Sequence, residues 1–340
     1  MNSRLLLTLA VAASVALVAC GGTPEDEPAQ RIVVPQGAPF RAVADSLAAN
    51  DIISSATLFR LYGRLVGGTE SIQAGTYEFT PGKSWNTLLD DLKAGRIAAD
   101  RLVIPEGWEI RRIGAVLARL VDQEPDSVIE YMLDTASVSR FQVPGPNLEG
   151  YLYPATYVVP AGSSLDAIIQ VMVQQYRRIW TDERRALADS AGLSEREVVT
   201  LASIVEKEAL ISDEKPLMAA VFLNRLEIGY PLQADPTVQY ALGEHQNRLL
   251  YAHIDRVADH PYNTYTQRGI PPGPIGSPST RAIDAVLRPA DVSYLYFVAR
   301  PDGSHVFNRH LEDHNRARAA IRRELEARQR EAQREQSSRP

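Results

Sequence analysis

Arg31-Ile-Val-Val-Pro-Gln-Gly37 opens the folded part of the chain with β-branched residues that Pro35 and Gly37 close. Such side chains favour the half-buried surface of a strand, and Pro and Gly in close succession end it in a turn. The same design returns at Arg101-Leu-Val-Ile-Pro-Glu-Gly107 and Tyr157-Val-Val-Pro-Ala-Gly162, with a variant at Tyr77-Glu-Phe-Thr-Pro-Gly82. Helical patterns follow, such as Phe40, Val43, Ala44, Leu47 and Trp85, Leu88, Leu89, Leu92, so the recurring unit is strand, turn, amphipathic helix. The intervals are too uneven for a solenoid. Residues 31–79 parse as strand, helix (40–50), helix (56–66) and strand (75–79). The fold class is therefore α+β: a small βααβ module over 31–97, a larger mixed α/β domain over 98–322, and a charged tail over 323–340 in which Arg and Glu alternate on a helical pattern.

Upstream of the module, Arg4 and the apolar run Leu5 to Ala19 form a charged n-region and an h-region, which reads as a signal peptide over 1–19. Leu17-Val-Ala-Cys20 resembles the bacterial lipobox, in which the Cys is lipidated, and Cys20 is the only Cys in the chain. A lone Cys excludes an intramolecular disulfide and any Cys-based metal site. The alternative is a retained membrane anchor, but the run is short of the about 20 residues a span needs. Residues 20–30 then make a polar tether, and the body of the chain is expected outside the cytoplasm, facing the periplasm or the cell exterior.

The 340 residues are 45% hydrophobic and 23% charged, enough for a sizeable core, with a net charge of -6. That balance lacks the basic excess that binding to nucleic-acid phosphates requires. No Gly-rich nucleotide fingerprint and no nucleophile elbow occur, so no cofactor is expected. Ser203 and Lys207 stand four apart where the penicillin-binding motif needs three. His310-Leu-Glu-Asp-His314 has Leu311 where a zinc-protease motif needs Glu, and no metal site is expected.

Leu201-Ala-Ser-Ile-Val-Glu206-Lys-Glu-Ala places two carboxylates in a largely apolar helix that Ser194 and Glu197 begin as a capping box. Val198, Leu201, Ala202, Val205 and Ala209 form its apolar stripe, with Glu206 and Glu208 on the two borders. Burial without a cation raises a carboxyl pKa toward neutrality and suits a proton donor. Periodicity does not choose between the two. Residues 231–279 read as a long irregular region rich in Pro, Gly, Tyr and Asn, which in a compact domain marks function and suits a sugar groove. Tyr294 to Ala299 reads as a buried strand.

Seven segments taken in order resemble the MltG (YceG-like) endolytic murein transglycosylases: Leu148-Glu-Gly-Tyr-Leu-Tyr-Pro-Ala-Thr-Tyr157, Ala202-Ser-Ile-Val-Glu-Lys-Glu208, Val221-Phe-Leu-Asn-Arg-Leu226, Leu232-Gln-Ala-Asp-Pro-Thr-Val238, Tyr262-Asn-Thr-Tyr265, Pro271-Pro-Gly-Pro-Ile275 and His305-Val-Phe. The resemblance runs from about Arg31 to Arg316. It implies a LysM-like module over 31–97 and a catalytic domain over 98–322. It also implies cleavage of the β-1,4 bond between N-acetylmuramic acid and N-acetylglucosamine with 1,6-anhydro ends, limiting nascent strand length. By the same resemblance Glu206 is the catalytic acid, with Gln233, Asp235, Tyr262, Asn263, Tyr265, Glu149 and Asn224 as substrate-binding candidates. The implied partners are glycan strands, peptidoglycan synthases and, through lipidated Cys20, a membrane. Three other readings stand beside it: a peptidoglycan-binding lipoprotein without turnover, a muramidase-type hydrolase, and an interaction protein that recruits synthases.

Overall fold

The computed structural model describes residues 28–247 and 249–337. The signal peptide, Cys20 and most of the tether lie outside the described residues. The chain divides into two compact units, one holding residues up to Leu102 together with Val158–Ser163, the other Val103–Tyr157 together with the rest from Ser164.

In the first unit, β1 (Gln30–Val34) is followed by α1 (Phe40–Ala49), α2 (Ala56–Leu65), β2 (Gly75–Phe79) and α3 (Trp85–Ala94). The strands pair antiparallel with Ile32 opposite Tyr77 and Val34 opposite Gly75. Ile32, Val34, Tyr77 and Phe79 point into the core while Val33 is 63% exposed, which is the two-residue alternation of a sheet with one wet face. Val43, Ala44 and Leu47 of α1, Phe59 of α2 and Leu88, Leu89 and Leu92 of α3 complete that core. Ser55 and Ser84 accept from Leu58 N and Thr87 N and so cap α2 and α3. Beyond the expected strand–helix–helix–strand, α3 belongs to the same core and carries the nearly buried Asp91, which pairs with Lys83 and Arg96 at 2.7 Å each. These two cations outweigh the burial penalty and lower its pKa.

β3 (Ala99–Val103) and β4 (Thr156–Pro160) form a two-stranded sheet, and α4 (Ile110–Val121), α5 (Pro125–Leu133) and α6 (Thr135–Phe141) lie between them in sequence. The second unit continues with α7 (Leu165–Ile179), α8 (Asp182–Ser190) and α9 (Glu195–Glu208). It goes on with α10 (Lys215–Glu227), α11 (Asp235–Leu242), α12 (Tyr251–Arg256), α13 (Thr280–Leu287), the hairpin β5 (Tyr296–Ala299) with β6 (His305–Asn308), and α14 (Leu311–Ser337). Its axis is α9, buried at every position from Val198 to Val205 and packed by α8, α10, α11 and α13. The capping box is present: Ser194 N donates to Glu197 Oε2 (2.8 Å) and Glu197 N donates to Ser194 Oγ (3.3 Å). Ser203 Oγ donates to Thr200 O and accepts from Ile275 N at 3.0 Å, which pins the proline-rich loop to the middle of the helix. Arg184 of α8 forks onto Asp284 of α13 at 2.8 and 2.9 Å. Gly150 has φ +81°, and a Cβ there would stand 2.4 Å from Pro274 Cβ, so the segments 148–157 and 271–275 meet where only glycine fits.

Two expectations need correction. The 231–279 region is not wholly irregular, because α11 and α12 lie within it; Pro236 sits in the first turn of α11, where a missing N–H costs nothing. Tyr296–Ala299 is half-buried rather than a buried strand, being one arm of a hairpin whose side chains line a groove. No helix among the described residues is long and apolar enough to cross a membrane.

Leu47 is fully buried and Leu61 is 55% exposed. Leu47→Ala should lower the unfolding free energy by about 2–5 kcal/mol. Leu61→Gln should change it by no more than about 0.5 kcal/mol. Urea denaturation of the two variants checks both.

Candidate active site

The last turn of α9 carries Glu206, Lys207 and Glu208 in succession, and at about 100° per residue the two carboxylates leave the helix in different directions. Glu206 turns toward α10 and α13. Its Oε1 accepts from Lys215 Nζ at 2.6 Å, and its Oε2 accepts from Ser279 N at 3.1 Å and Ser279 Oγ at 2.5 Å. The side chains of Glu206 and Lys215 are 9% and 5% exposed, and Gly107, at φ +73°, lies beside the Glu206 chain. The expectation of burial without a cation fails at this residue. A buried ammonium compensates its charge, both oxygens are occupied, and Glu206 lines neither groove on this face of the unit.

Glu208 lines both. A groove of about 390 Å³ runs past Glu109, Lys207, Glu208, Asp235 and Gln239. A larger one of about 660 Å³ runs past Glu208, Arg225, Gln233, Asp235 and Tyr265. The two share Glu208 and Asp235. Burial pushes the Glu208 carboxyl up to about 8 and nearby Asp235 adds to the effect, while Arg225 and the Asp235 backbone N–H pull the other way. Lys207 does not neutralise Glu208, because its ammonium is 2.5 Å from Glu109.

Asp235 begins α11 and accepts from the Tyr265 hydroxyl at 2.5 Å. Burial and that bond hold the Tyr265 phenol above its ordinary pKa. The segments carrying this pair are stitched together underneath: Gln233 N donates to Thr264 O (3.0 Å), Ala234 N to Thr264 Oγ1 (3.0 Å), and the Thr237 and Thr264 hydroxyls meet at 2.8 Å. Gln233 adopts φ +49° and faces the larger groove.

Of the residues expected from sequence, the groove thus brings Gln233, Asp235 and Tyr265 together. The other four turn inward. Asn263 is fully buried, donating to Ile254 O and Val257 O and accepting from Tyr265 N. Asn224 donates to Val292 O and Tyr294 O at 2.9 Å each. Tyr262 is 9% exposed, its ring 4.9 Å from that of Tyr240. Glu149 is buried under the N-terminus of α4 and accepts from Ile110 N at 3.0 and 3.1 Å; burial raises its pKa to about 8. The side-chain bonds of Asn263, Asn224 and Glu149 are consumed within the protein, and Tyr262 packs against Tyr240.

Sequence reasoning missed Lys215, Glu109, Ser279 and Arg225. For Arg225 a signal existed, since it falls seven residues after Met218 and three after Phe222 on the buried stripe of α10. Lys215 lies nine residues beyond Glu206, outside the helix that periodicity could examine.

The sequence profile of the YceG-like family matches residues 32–320. A protein of Bacillus subtilis (strain 168) named endolytic murein transglycosylase is 32% identical over 303 residues, which cover 84% of this chain and 83% of that protein. One of the same name from Streptococcus pneumoniae serotype 2 (strain D39) is 28% identical over 313 residues; the match spans 83% of this chain and 56% of that longer protein. A crystal structure of a putative yceG-like protein from Listeria monocytogenes superposes with a TM-score of 0.58 at 31% identity, covering 86% of this chain and all of the other.

Removing one partner of a buried pair leaves the other charge uncompensated. Lys215→Met should therefore destabilise the protein by about 3–5 kcal/mol. Adding Glu206→Gln to it should recover more than half of that loss, read as the shift in urea midpoint at constant slope.

Proposed function

This chain belongs to the YceG-like family, and on that premise we propose that it is a murein lytic transglycosylase whose acid–base group is Glu208. The observation that carries the reading is the pairing of environments on one helix turn. Glu206 is locked to an ammonium and a hydroxyl away from the grooves, while Glu208 is desolvated, pushed up to about 8, and lines both. Glu208 thus takes the role that the sequence resemblance gave to Glu206, and Glu206 becomes the clamp that fixes the helix end.

In the reaction, protonated Glu208 gives its proton to the oxygen bridging C1 of N-acetylmuramic acid and C4 of N-acetylglucosamine, and the C1–O bond breaks. The muramoyl O6 then attacks C1 and closes the 1,6-anhydro ring, and the Glu208 carboxylate takes the O6 proton. One carboxylate serves both steps because the nucleophile is part of the substrate and held at high effective concentration. Asp235, hydrogen-bonded by Tyr265 and sharing both grooves with Glu208, is read as the group that eases the developing positive charge at C1. The same Asp235 supports the second reading. Two carboxylates on one groove also suit a muramidase in which Asp235 activates water.

The first unit is read as a glycan-holding LysM-like module, supported by its strand–helix–helix–strand order and antiparallel pairing. Cys20 is read as a lipid attachment point outside the cytoplasm, which would keep the enzyme beside strands still being extended, in reach of the synthases, and so limit strand length.

Glu208→Gln should lower kcat by at least about 10²–10⁴-fold with the fold intact. The active form carries the proton, and the raised pKa keeps it there through neutral pH, so kcat/KM should hold up to neutrality and fall as pH rises through about 8. Mass spectrometry of the digested glycan should find anhydro-muramic ends; reducing muramic ends would make the protein a hydrolase.

A further inference from the structure

The larger groove offers chemistry that a neutral sugar does not use. Arg225 is 5% exposed, and its Nε donates to Leu295 O at 2.7 Å while its Nη1 donates to Leu232 O. The rings of Tyr230, Tyr296 and Phe297 surround the guanidinium at 5.7, 6.0 and 5.7 Å. Among the described residues no carboxylate pairs with it, and Nη2 has no hydrogen-bond acceptor. It is thus a desolvated cation with one arm left over, at a groove wall. Arg318 of α14 lines the same groove, is exposed, and is likewise without an ion pair among the described residues. His314 lines the groove too, and burial, then the charges of Arg318 and Arg225, lower its pKa. Along the rim Leu250, Tyr251 and Leu311 are 48%, 81% and 51% exposed. The groove also carries Glu208 and Asp235, but its two arginines make no ion pair with them, and with the aromatic and aliphatic residues beside them they fit a short peptide that brings its own carboxylate; a guanidinium with a free arm recognises a carboxylate with geometric precision.

In murein such a peptide is attached through the lactyl group of the muramic acid whose glycosidic bond is cut. We propose that the larger groove is the subsite for this acidic stem peptide, with a stem carboxylate held between Arg225 Nη2 and Arg318, so that the enzyme selects peptide-bearing strands over bare glycan. The proposal rests on the transglycosylase reading of the shared carboxylates, which place the sugar beside this groove.

Arg318 is exposed, so Arg318→Glu should leave folding unchanged, and its effect should be read in KM on stem-bearing strands. The full-length chain and this variant are compared on strands carrying tripeptide stems and on the same strands stripped of peptide by an amidase. The expected result is a KM roughly 10-fold higher for the variant on stem-bearing strands, as befits a lost charge-assisted bond, and equal KM for both proteins on stripped strands. Equal kcat/KM of the unaltered protein on the two substrates, or a KM rise in the variant that is the same on both, would overturn the subsite. The free tripeptide, titrated against the full-length chain and followed by changes in NMR shifts, separates this inference from the reading it rests on. Saturable binding that Arg318→Glu removes supports the subsite even if no strand is cut, and absence of binding overturns it even if strands are cut.

Discussion

The ion pair between Glu206 and Lys215 organises the catalytic unit. It joins the last turn of α9 to the first of α10, and Ser279 extends it to the first turn of α13, so three helix ends converge on one carboxylate. A buried pair of this kind adds little net stability compared with apolar packing, because desolvation offsets most of the attraction. Its value lies in specificity of arrangement. With Glu206 fixed toward Lys215 and Ser279, Glu208 two residues on leaves the helix on another side, where it lines both grooves.

The same logic explains why neighbouring side chains of one residue type come to differ so widely. Glu206 meets an ammonium and two donors from Ser279, whereas Glu208 meets desolvation and the negative field of Asp235, with Arg225 too distant for an ion pair. Glu109 and Lys207 satisfy one another at the mouth of the smaller groove and so withhold a cation from the proposed acid. Charge in the site is therefore partitioned: acidic at the seam, basic and apolar along the larger groove.

Much of the first unit could be read from residue order. Alternation in Ile32, Val33 and Val34 and the stripes of α1 and α2 give the elements, because each element's own pattern reports which face is buried. What the pattern could not report was α3 as part of the same core, or which of the two border carboxylates on α9 finds a cation, since the answer sits on Lys215 and Ser279. Motif membership does not by itself report where a side chain's partners lie. Asn224, Asn263, Tyr262 and Glu149 belong to quoted motifs, yet they spend their polar atoms or ring faces on the protein interior. A residue type suited to sugar is equally suited to holding a loop, and only its partners separate the two uses. The α11 turn at Asp235-Pro236 was hidden for a related reason: Pro, taken as a loop marker, also starts helices.

The clamp on Glu206 reaches from residue 206 to residue 279, and the larger groove draws on residues as late as Arg318. Synthesis runs from the N-terminus onward, so the helix that carries Glu206 is complete before the helix end at Ser279 that orients it has been made. The orientation of this helix end therefore depends on residues made late, and the clamp on Glu206 closes only after residue 279 is in place.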